Sequence, residues 1–460
     1  MIVCPACGGN LKFHIPTQNM KCAFCDNSYD PYEFDSKDKD GIEQKDYDVT
    51  VFTCPQCGGE ITSTDNEVTG FCPFCGASTI FYTRLEKSLK PNYIIPFKIS
   101  KEDCKKAYQE KVSKMLFLPE EYKKSEYIDG FRGIYIPYWS YDVDEKGPFI
   151  IKADKDERHG DYIYHKHYDL KGNMDAFYHG INYDASSSFD DDISDRIAPF
   201  DVKEKKEFTA GFLSGFYADT ADVPADVYHE EILDFVEIET LRQIGKVPEF
   251  EDYSVNDENH NIHVKLSNTD RTMFPVWFMS YRYKDRVAYA TVNGQTGKVS
   301  ADFPIDIKKF LIFAGILAAV IFTVLNVFLT LRPTVVSLII FVLGLISMFL
   351  YSSEWKEIKN KENHVFDKGY NQGSDSVVEI YLRGKDQKMP ILPILTSLIG
   401  AVMAIGVFAL KLINDALVYG VNLLAAVGIG YTLVLLIKDY NVLSTRKLPQ
   451  FDRKGGDDNA

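Results

Sequence analysis

Cys4-Pro5-Ala6-Cys7 with Cys22-Ala23-Phe24-Cys25, and then Cys54-Pro55-Gln56-Cys57 with Cys72-Pro73-Phe74-Cys75, decide how the first part of this 460-residue chain folds. In each set 14 residues separate the two Cys-x-x-Cys pairs, and the second set repeats the first at an offset of 50. Pro5/Pro55, Gly8/Gly58, Gly9/Gly59 and Phe24/Phe74 repeat along with the cysteines, so one small unit occurs twice in tandem. Each Cys-x-x-Cys puts two thiolates on one tight knuckle, and two knuckles offer four sulfurs to a tetrahedral ion, the arrangement of a closed structural zinc site. Units this small cannot bury enough apolar surface to fold alone, so metal binding is expected to supply their folding free energy. Disulfides, a redox dithiol and iron–sulfur ligation compete with zinc. A cytoplasmic location disfavours the first, and a redox pair needs one Cys-x-x-Cys where this chain has four. The expectation is two structural Zn²⁺ per chain, held by Cys4, Cys7, Cys22 and Cys25 and by Cys54, Cys57, Cys72 and Cys75. With four protein ligands each, neither ion has an open catalytic position.

Beyond the knuckles the chain changes character twice. Residues 35–50 form a charged linker between ribbon 1 (1–34) and ribbon 2 (51–90). Residues 92–305 alternate strand and helix signals and read as a mixed α+β region. Helices are expected over 101–116 and 227–244, and strands over 134–141, 149–153, 162–170 and 176–183. A hairpin of 274–283 and 287–292 is expected to turn again at Asn293-Gly294. From residue 308 four apolar runs follow, 310–331, 334–351, 391–410 and 416–437, each of 18 to 22 residues and without an acidic residue. That length crosses a hydrocarbon layer ~30 Å thick as a helix. The fold class expected is therefore multidomain: two small β zinc ribbons, an α+β domain with internal duplication, and an all-α region of four transmembrane helices. These helices form hairpins over 308–351 and 391–437, with a polar loop over 352–390 and a polar tail over 438–460.

Charge sets the expected orientation. The 352–390 loop carries Lys356, Lys359, Lys361, Lys368, Arg383, Lys385 and Lys388, whereas the hairpin tips carry only Arg332 and Lys411. The positive-inside rule then puts the N-terminal region, the loop and the C-terminus in the cytoplasm of a multi-pass cell-membrane protein. No basic-then-apolar signal segment opens the chain, so nothing directs residues 1–307 outward. Those residues hold 35 Lys+Arg and 54 Asp+Glu, a net −19, within a chain of net −15. Such a surface argues against nucleic acid as a partner, because binding it releases counterions through basic contacts.

The ribbon units resemble rubredoxin-like zinc ribbons, such as those of transcription factor IIB and of the primosomal helicase. A helicase activity does not follow. Gly294-Gln295-Thr296-Gly297-Lys298-Val299 has Val299 where a phosphate loop needs Ser or Thr, and Val292 where its first Gly belongs, and it reads as a turn between strands. Taken with Ile136-Pro137-Tyr138-Trp139, Phe274-Pro275-Val276-Trp277 and the apolar helices, the whole chain looks like a bacterial family of membrane-anchored zinc-ribbon proteins. Some relatives occur beside flotillin-like SPFH proteins and phage-shock-type membrane-stress proteins. The resemblance implies an adaptor or scaffold that recruits a protein partner at the cytoplasmic membrane face. A membrane-tethered nucleic-acid binder and a transport or channel component are the alternatives.

Other clusters have plain readings. The two Pro-x-Trp segments read as a duplicated strand with Pro at a strand start or edge and Trp in the core. His165 and His167 would share one side of a strand and, with His179, could hold a metal, but the three read as a solvated sheet face. Asp190, Asp191, Asp192, Asp195 and Asp201 could bind a cation weakly, but read as a solvated, helix-capping loop. Cys104 reads as a small core residue. No catalytic constellation is found, so no enzyme activity and no organic cofactor are expected. In the spans, Gly315/Ala319 and Gly400/Ala404 permit close helix contact and self-association, and Asn326 and Asn422 are the only strongly polar residues at depth.

Overall fold

The computed structural model describes residues 2–34, 46–63, 72–78, 81–262, 264–328, 333–364, 367–369 and 415–449, with scattered positions between 394 and 409. Ribbon 1 is a three-stranded antiparallel sheet of β1 (Leu11–His14), β2 (Asn19–Cys22) and β3 (Ser28–Tyr29). A second sheet of thirteen strands takes in the other strands of the described residues. It contains β4 (Asp46–Thr53), β5 (Glu60–Ser63), β6 (Tyr82–Leu89), β7 (Tyr93–Ile94), β8 (Arg132–His159), β9 (Tyr162–Asp184), β10 (Lys206–Glu207), β11 (Tyr217–Ala218), β12 (Ser254–His260), β13 (Leu266–Tyr283), β14 (Arg286–Asn293), β15 (Val299–Ala301) and β16 (Arg446–Lys447). The main path runs β10-β7-β13-β8-β11-β5-β4-β6, so the second ribbon extends the sheet of the body.

β13 and β8, the two strands that carry the Pro-x-Trp segments, pair antiparallel at the centre of this path. The prolines, expected at a strand start or edge, lie inside two paired central strands. Each sits where its strand exchanges one outer neighbour for another. β8 pairs with β11 at Ile134 and Tyr135 and with β9 from Tyr138, and Pro137 lies between. β13 pairs with β7 at Thr272 and Met273 and with β14 from Val276, and Pro275 lies between. A missing N–H costs nothing in such a gap. The carbonyls remain in use, Pro137 accepting from Ala185 N and Pro275 from Gly294 N, both at 2.8 Å. The indole N–H groups are satisfied internally, Trp139 by Val223 O and Trp277 by Ile99 O.

Strict alternation along these strands builds two cores. Tyr135, Met273, Trp277 and Met279 face ribbon 1 and α1 (Lys101–Ser113), while Ile134, Ile136, Phe274, Val276 and Phe278 face the other way. α1 is capped by Ser100, whose Oγ accepts from Asp103 N, and it buries Cys104, Tyr108 and Val112. Cys104 is a core residue, as expected. A short helix, α2 (Ser125–Ile128), closes this layer, and α3 (Asp191–Ile197) covers the opposite face with Ile193 and Ile197. α4 (His229–Ile244) packs Ile232 and Val236 against Tyr141 and Val143.

The four strands expected between 134 and 183 are two long ones. Asp144 to Pro148 looks like a turn in sequence, yet Glu145 pairs with Ala176 and Gly147 with Met174, so β8 and β9 form one continuous hairpin. Its tip exposes Tyr162, Ile163 and Tyr164.

Among the described residues three helices, not four, are long and apolar enough to cross a membrane: Ile307–Val324, Val335–Glu362 and Ala416–Leu443. They belong to α5 (Ile307–Phe328), α6 (Pro333–Glu362) and α7 (Asp415–Leu443). The expected span 391–410 lies for the most part outside the described residues, as do Gly400 and Ala404. The loop expected from residue 352 begins later, because α6 runs on to Glu362 through good helix formers without Gly or Pro. α6 and α7 meet through Ile340 and Ala425 and through a hydrogen bond from Ser337 Oγ to Asn422 Oδ1 at 2.9 Å. Asn422 is thereby satisfied inside the apolar layer.

The start of α5 and the ends of α6 and α7 come together against the body. Ile305 N donates to Asn441 Oδ1, Arg286 bridges Glu362 with the carbonyls of Val442 and Thr445, and Lys361 reaches Leu443 O. Basic residues at the helix ends also act as struts. Lys309 pairs with Glu120, and Arg446 is enclosed by Asp190, Asp192 and Asp302.

Candidate metal centres

The eight cysteines converge as two groups of four, with the ligand atoms of each group within 4.8 Å of one another. Local backbone geometry makes the knuckles. Cys4 N donates to Gly9 O and Gly8 N to Cys4 O; Cys54 N donates to Gly59 O and Gly58 N to Cys54 O. The repeat in sequence is a repeat in hydrogen bonding. In the first group the Cys4–Cys25 and Cys7–Cys22 sulfurs are 3.6 and 3.4 Å apart, and in the second Cys54–Cys75 and Cys57–Cys72 are 3.8 and 3.7 Å apart. A disulfide would need about 2.05 Å. Four thiolates ~2.3 Å from a central Zn²⁺ lie about 3.8 Å apart along each tetrahedral edge. The cysteines therefore fit a tetrahedral metal and are not disulfide-bonded.

Electrostatics agree. Burial works against ionising Cys4, but the Tyr29 hydroxyl and the backbone amides of Ala6 and Cys7 outweigh it and hold the thiol at about 6. In the second group contacts with Cys57, Cys72 and Cys75 drive Cys54 far down, while Cys57 and Cys72 are driven far up by their own contacts with Cys54. Four sulfurs this close cannot all carry charge unless a cation sits among them.

The two centres differ in their surroundings. Neither ribbon projects freely from the body. Ribbon 1 lies on the face of Trp277. Phe13 packs edge-on against Phe212 at 5.2 Å, Phe13 N donates to Ser214 O, and Ser214 Oγ donates to Leu11 O. The 72–75 knuckle lies on the opposite face, where Tyr289 Oη donates to Phe74 O at 2.6 Å and Ser280 Oγ donates to Cys72 O. All four cysteines of the second centre are buried, whereas Cys7 of the first is exposed. The equivalent aromatics diverge most: Phe74 is 2% exposed and Phe24 80%.

The remaining candidates resolve as follows. His165 pairs with Asp156 at 2.6 Å, His167 with Asp154 at 2.5 Å and His179 with Asp142 at 3.3 Å, so each imidazole has its own carboxylate. Residues 293–298 form a turn between β14 and β15, closed by Asn293 N to Lys298 O and Gly297 N to Asn293 O. Buried Asn293 anchors it by donating to Ile197 O and Pro199 O. No helix follows, so it is no phosphate loop. Asp190 and Asp201 cap short helices as expected, accepting from Asp192 N and Lys203 N, but Asp190 is also drawn into the ion pair with Arg446. Sequence reading missed that Asp190 meets His364 and Asp367. These two lie more than 170 residues further on, just past α6, where only a polar loop was legible.

No family model matches the chain, and no solved structure matches it. It is similar to the uncharacterized protein YdjG of Bacillus subtilis (strain 168), with 28% identity over 311 residues, 66% of this chain and 90% of that protein.

Proposed function

We propose that the chain is a membrane-anchored adaptor on the cytoplasmic face of the cell membrane, whose two Zn²⁺ ions are structural and whose first ribbon recruits a protein partner. The observation that carries this is the divergence of the two repeats. One knuckle is sealed into the body and serves the fold; the other turns Phe24 and Cys7 to solvent. An exposed aromatic on a knuckle held rigid by metal and by a packed β-sheet is the kind of anchor that protein interfaces use. The acidic body and the convergence of three apolar helices on it support a membrane-facing platform over a nucleic-acid binder. The basic residues at the helix ends support a cytoplasmic body. The resemblance to zinc-ribbon proteins found beside SPFH/flotillin-like and phage-shock-type proteins makes those assemblies the first partners to test.

Proximity labelling in cells, comparing the full chain with Phe24→Asp, tests the proposal. The expected result is a defined set of membrane-associated proteins labelled by the first and lost in the second, with protein level and two zinc per chain unchanged. An identical labelled set in the variant would overturn it.

A further inference from the structure

We propose that Asp190, Asp191, His364 and Asp367, with Asp184 beneath them, bind a divalent cation of the Mn²⁺ class that clamps the end of α6 to the acidic face of the body. The zinc centres play no part in this second, oxygen-rich site.

The geometry comes first. Asp190, His364 and Asp367 bring one ligand atom each to within 4.8 Å of one another, and His364 Nδ1 lies 3.6 Å from Asp367 Oδ2. Ligands around an octahedral ion at ~2.1 Å are about 3 Å apart when adjacent and about 4.2 Å when opposite, so small side-chain movements close the set. A tight turn after α6 makes the placement. Asp367 N donates to His364 O, and His364 takes the left-handed conformation with φ 52°. Asp191 joins from the other side, its Oδ2 accepting from Lys368 N at 2.9 Å. The residues border a cleft of about 390 Å³, roomy enough for an ion and its waters.

An independent observation points to a cation. Asp184 is 2% exposed and its Oδ1 has no hydrogen-bond partner; its carboxyl lies against Asp191 and Ser194, with Asp367 as the next charged group. Burying a carboxylate against two others without a counter-charge is costly. Arg446 meets Asp190 at the edge of the site and is shared with Asp192 and Asp302, Lys361 donates to Leu443 O, and Lys368 pairs with Glu231, so none of these three cations forms an ion pair with Asp184 or Asp191. A divalent ion would supply the missing counter-charge. Carboxylates with one imidazole suit Mn²⁺ better than the all-thiolate sets that select zinc.

The test uses the zinc-loaded full chain in detergent, freed of other metal with a weak chelator and titrated with MnCl₂. Loss of the free-Mn²⁺ resonance signal counts bound ions. The expected result is one Mn²⁺ per chain, with affinity at least about tenfold weaker in Asp367→Asn and in Asp191→Asn and unchanged in His167→Gln. Without Mn²⁺ both Asn variants should melt at or above the wild-type temperature, since each removes a repelling charge, so weaker binding could not be ascribed to misfolding. Absence of binding up to millimolar Mn²⁺, binding that the Asn variants leave intact, or metal-free variants that melt lower than wild type would each overturn the proposal.

Discussion

Phe24 and Phe74 occupy the same place in the two repeats, and truncating each to Ala should have sharply different costs. Phe74 is 2% exposed and packs with Phe52, Ile61 and Phe81 around the cysteines and against Phe278, with ring centroids 6.5 Å apart. Removing a ring from so enclosed a site leaves a cavity and costs about 3–5 kcal/mol. Phe24 is 80% exposed. If a Phe side chain presents ~200 Å², the fifth that is covered amounts to roughly 40 Å², worth about 1 kcal/mol at ~25 cal/mol per Å². Its ring lies over Gly9, where an added Cβ would come within 2.5 Å of Phe24 Cδ2, and among the described residues its outer face is open. The difference of about 2–4 kcal/mol is a factor of roughly 30 to 1,000 in an equilibrium constant. Urea unfolding of the full chain in detergent, followed by the fluorescence of Trp139 and Trp277 in the body, measures both variants. Costs equal to within 1 kcal/mol, or a loss above 2 kcal/mol for Phe24→Ala, would refute the assignment of one knuckle to the fold and the other to solvent.

Metal analysis should find two zinc per chain and one in either Cys7→Ser or Cys57→Ser, with the larger fall in melting temperature for Cys57, which is buried within the body; a full metal complement in either variant would contradict the ligand sets. Arg446→Met removes the ion pair of Asp190 and leaves Asp302, 3% exposed, paired with Arg196, and should cost about 3 kcal/mol, recovered in part by adding Asp302→Asn; additive losses in that double-mutant cycle would show the strut to be incidental. Burial raises the Asp219 carboxyl from 3.8 to about 7 despite donation from Ser186 and Ser188. Its folded pKa lies above its unfolded one, so it favours folding below about pH 4 and that contribution is lost as pH rises to 7. Asp219→Asn should therefore gain stability relative to wild type at pH 8 and not at pH 4, and equal differences at the two values would dispose of the effect.

What was legible in the sequence follows from the range over which each interaction acts. A Cys-x-x-Cys knuckle is closed by hydrogen bonds between residues five apart or fewer, so the ligand sets could be read without knowing the rest of the fold. α1, α4 and the strand segments announced themselves through local periodicity. The union of short strands into β8 and β9 was not legible, because Asp144 to Pro148 has turn composition and is held extended only by its partner across the hairpin. The exchange of strand neighbours at Pro137 and Pro275 is likewise a property of the sheet. So is the meeting of Asp190 with His364, which depends on where α6 ends and on how the body receives it.

The opposite fates of the two ribbons did leave a local trace. Asp26 and Gly76 follow the last cysteine of each repeat and both adopt positive φ, 58° and 68°. An L-residue tolerates that conformation best as Asn or Asp, and only where its Cβ has room. At Gly76 a Cβ would come within 3.3 Å of both Arg282 Cβ and Ser280 Oγ, since the body is packed directly against the turn, and Gly is the residue that fits. At Asp26 the side chain stands in solvent and pairs with Lys21 at 3.1 Å. The body therefore imposes glycine on the turn it covers and leaves the uncovered one free to carry charge. With identical ligand spacing in the two repeats, the residue after the final cysteine is Gly where the body covers the turn and Asp where the turn, beside Phe24, faces solvent.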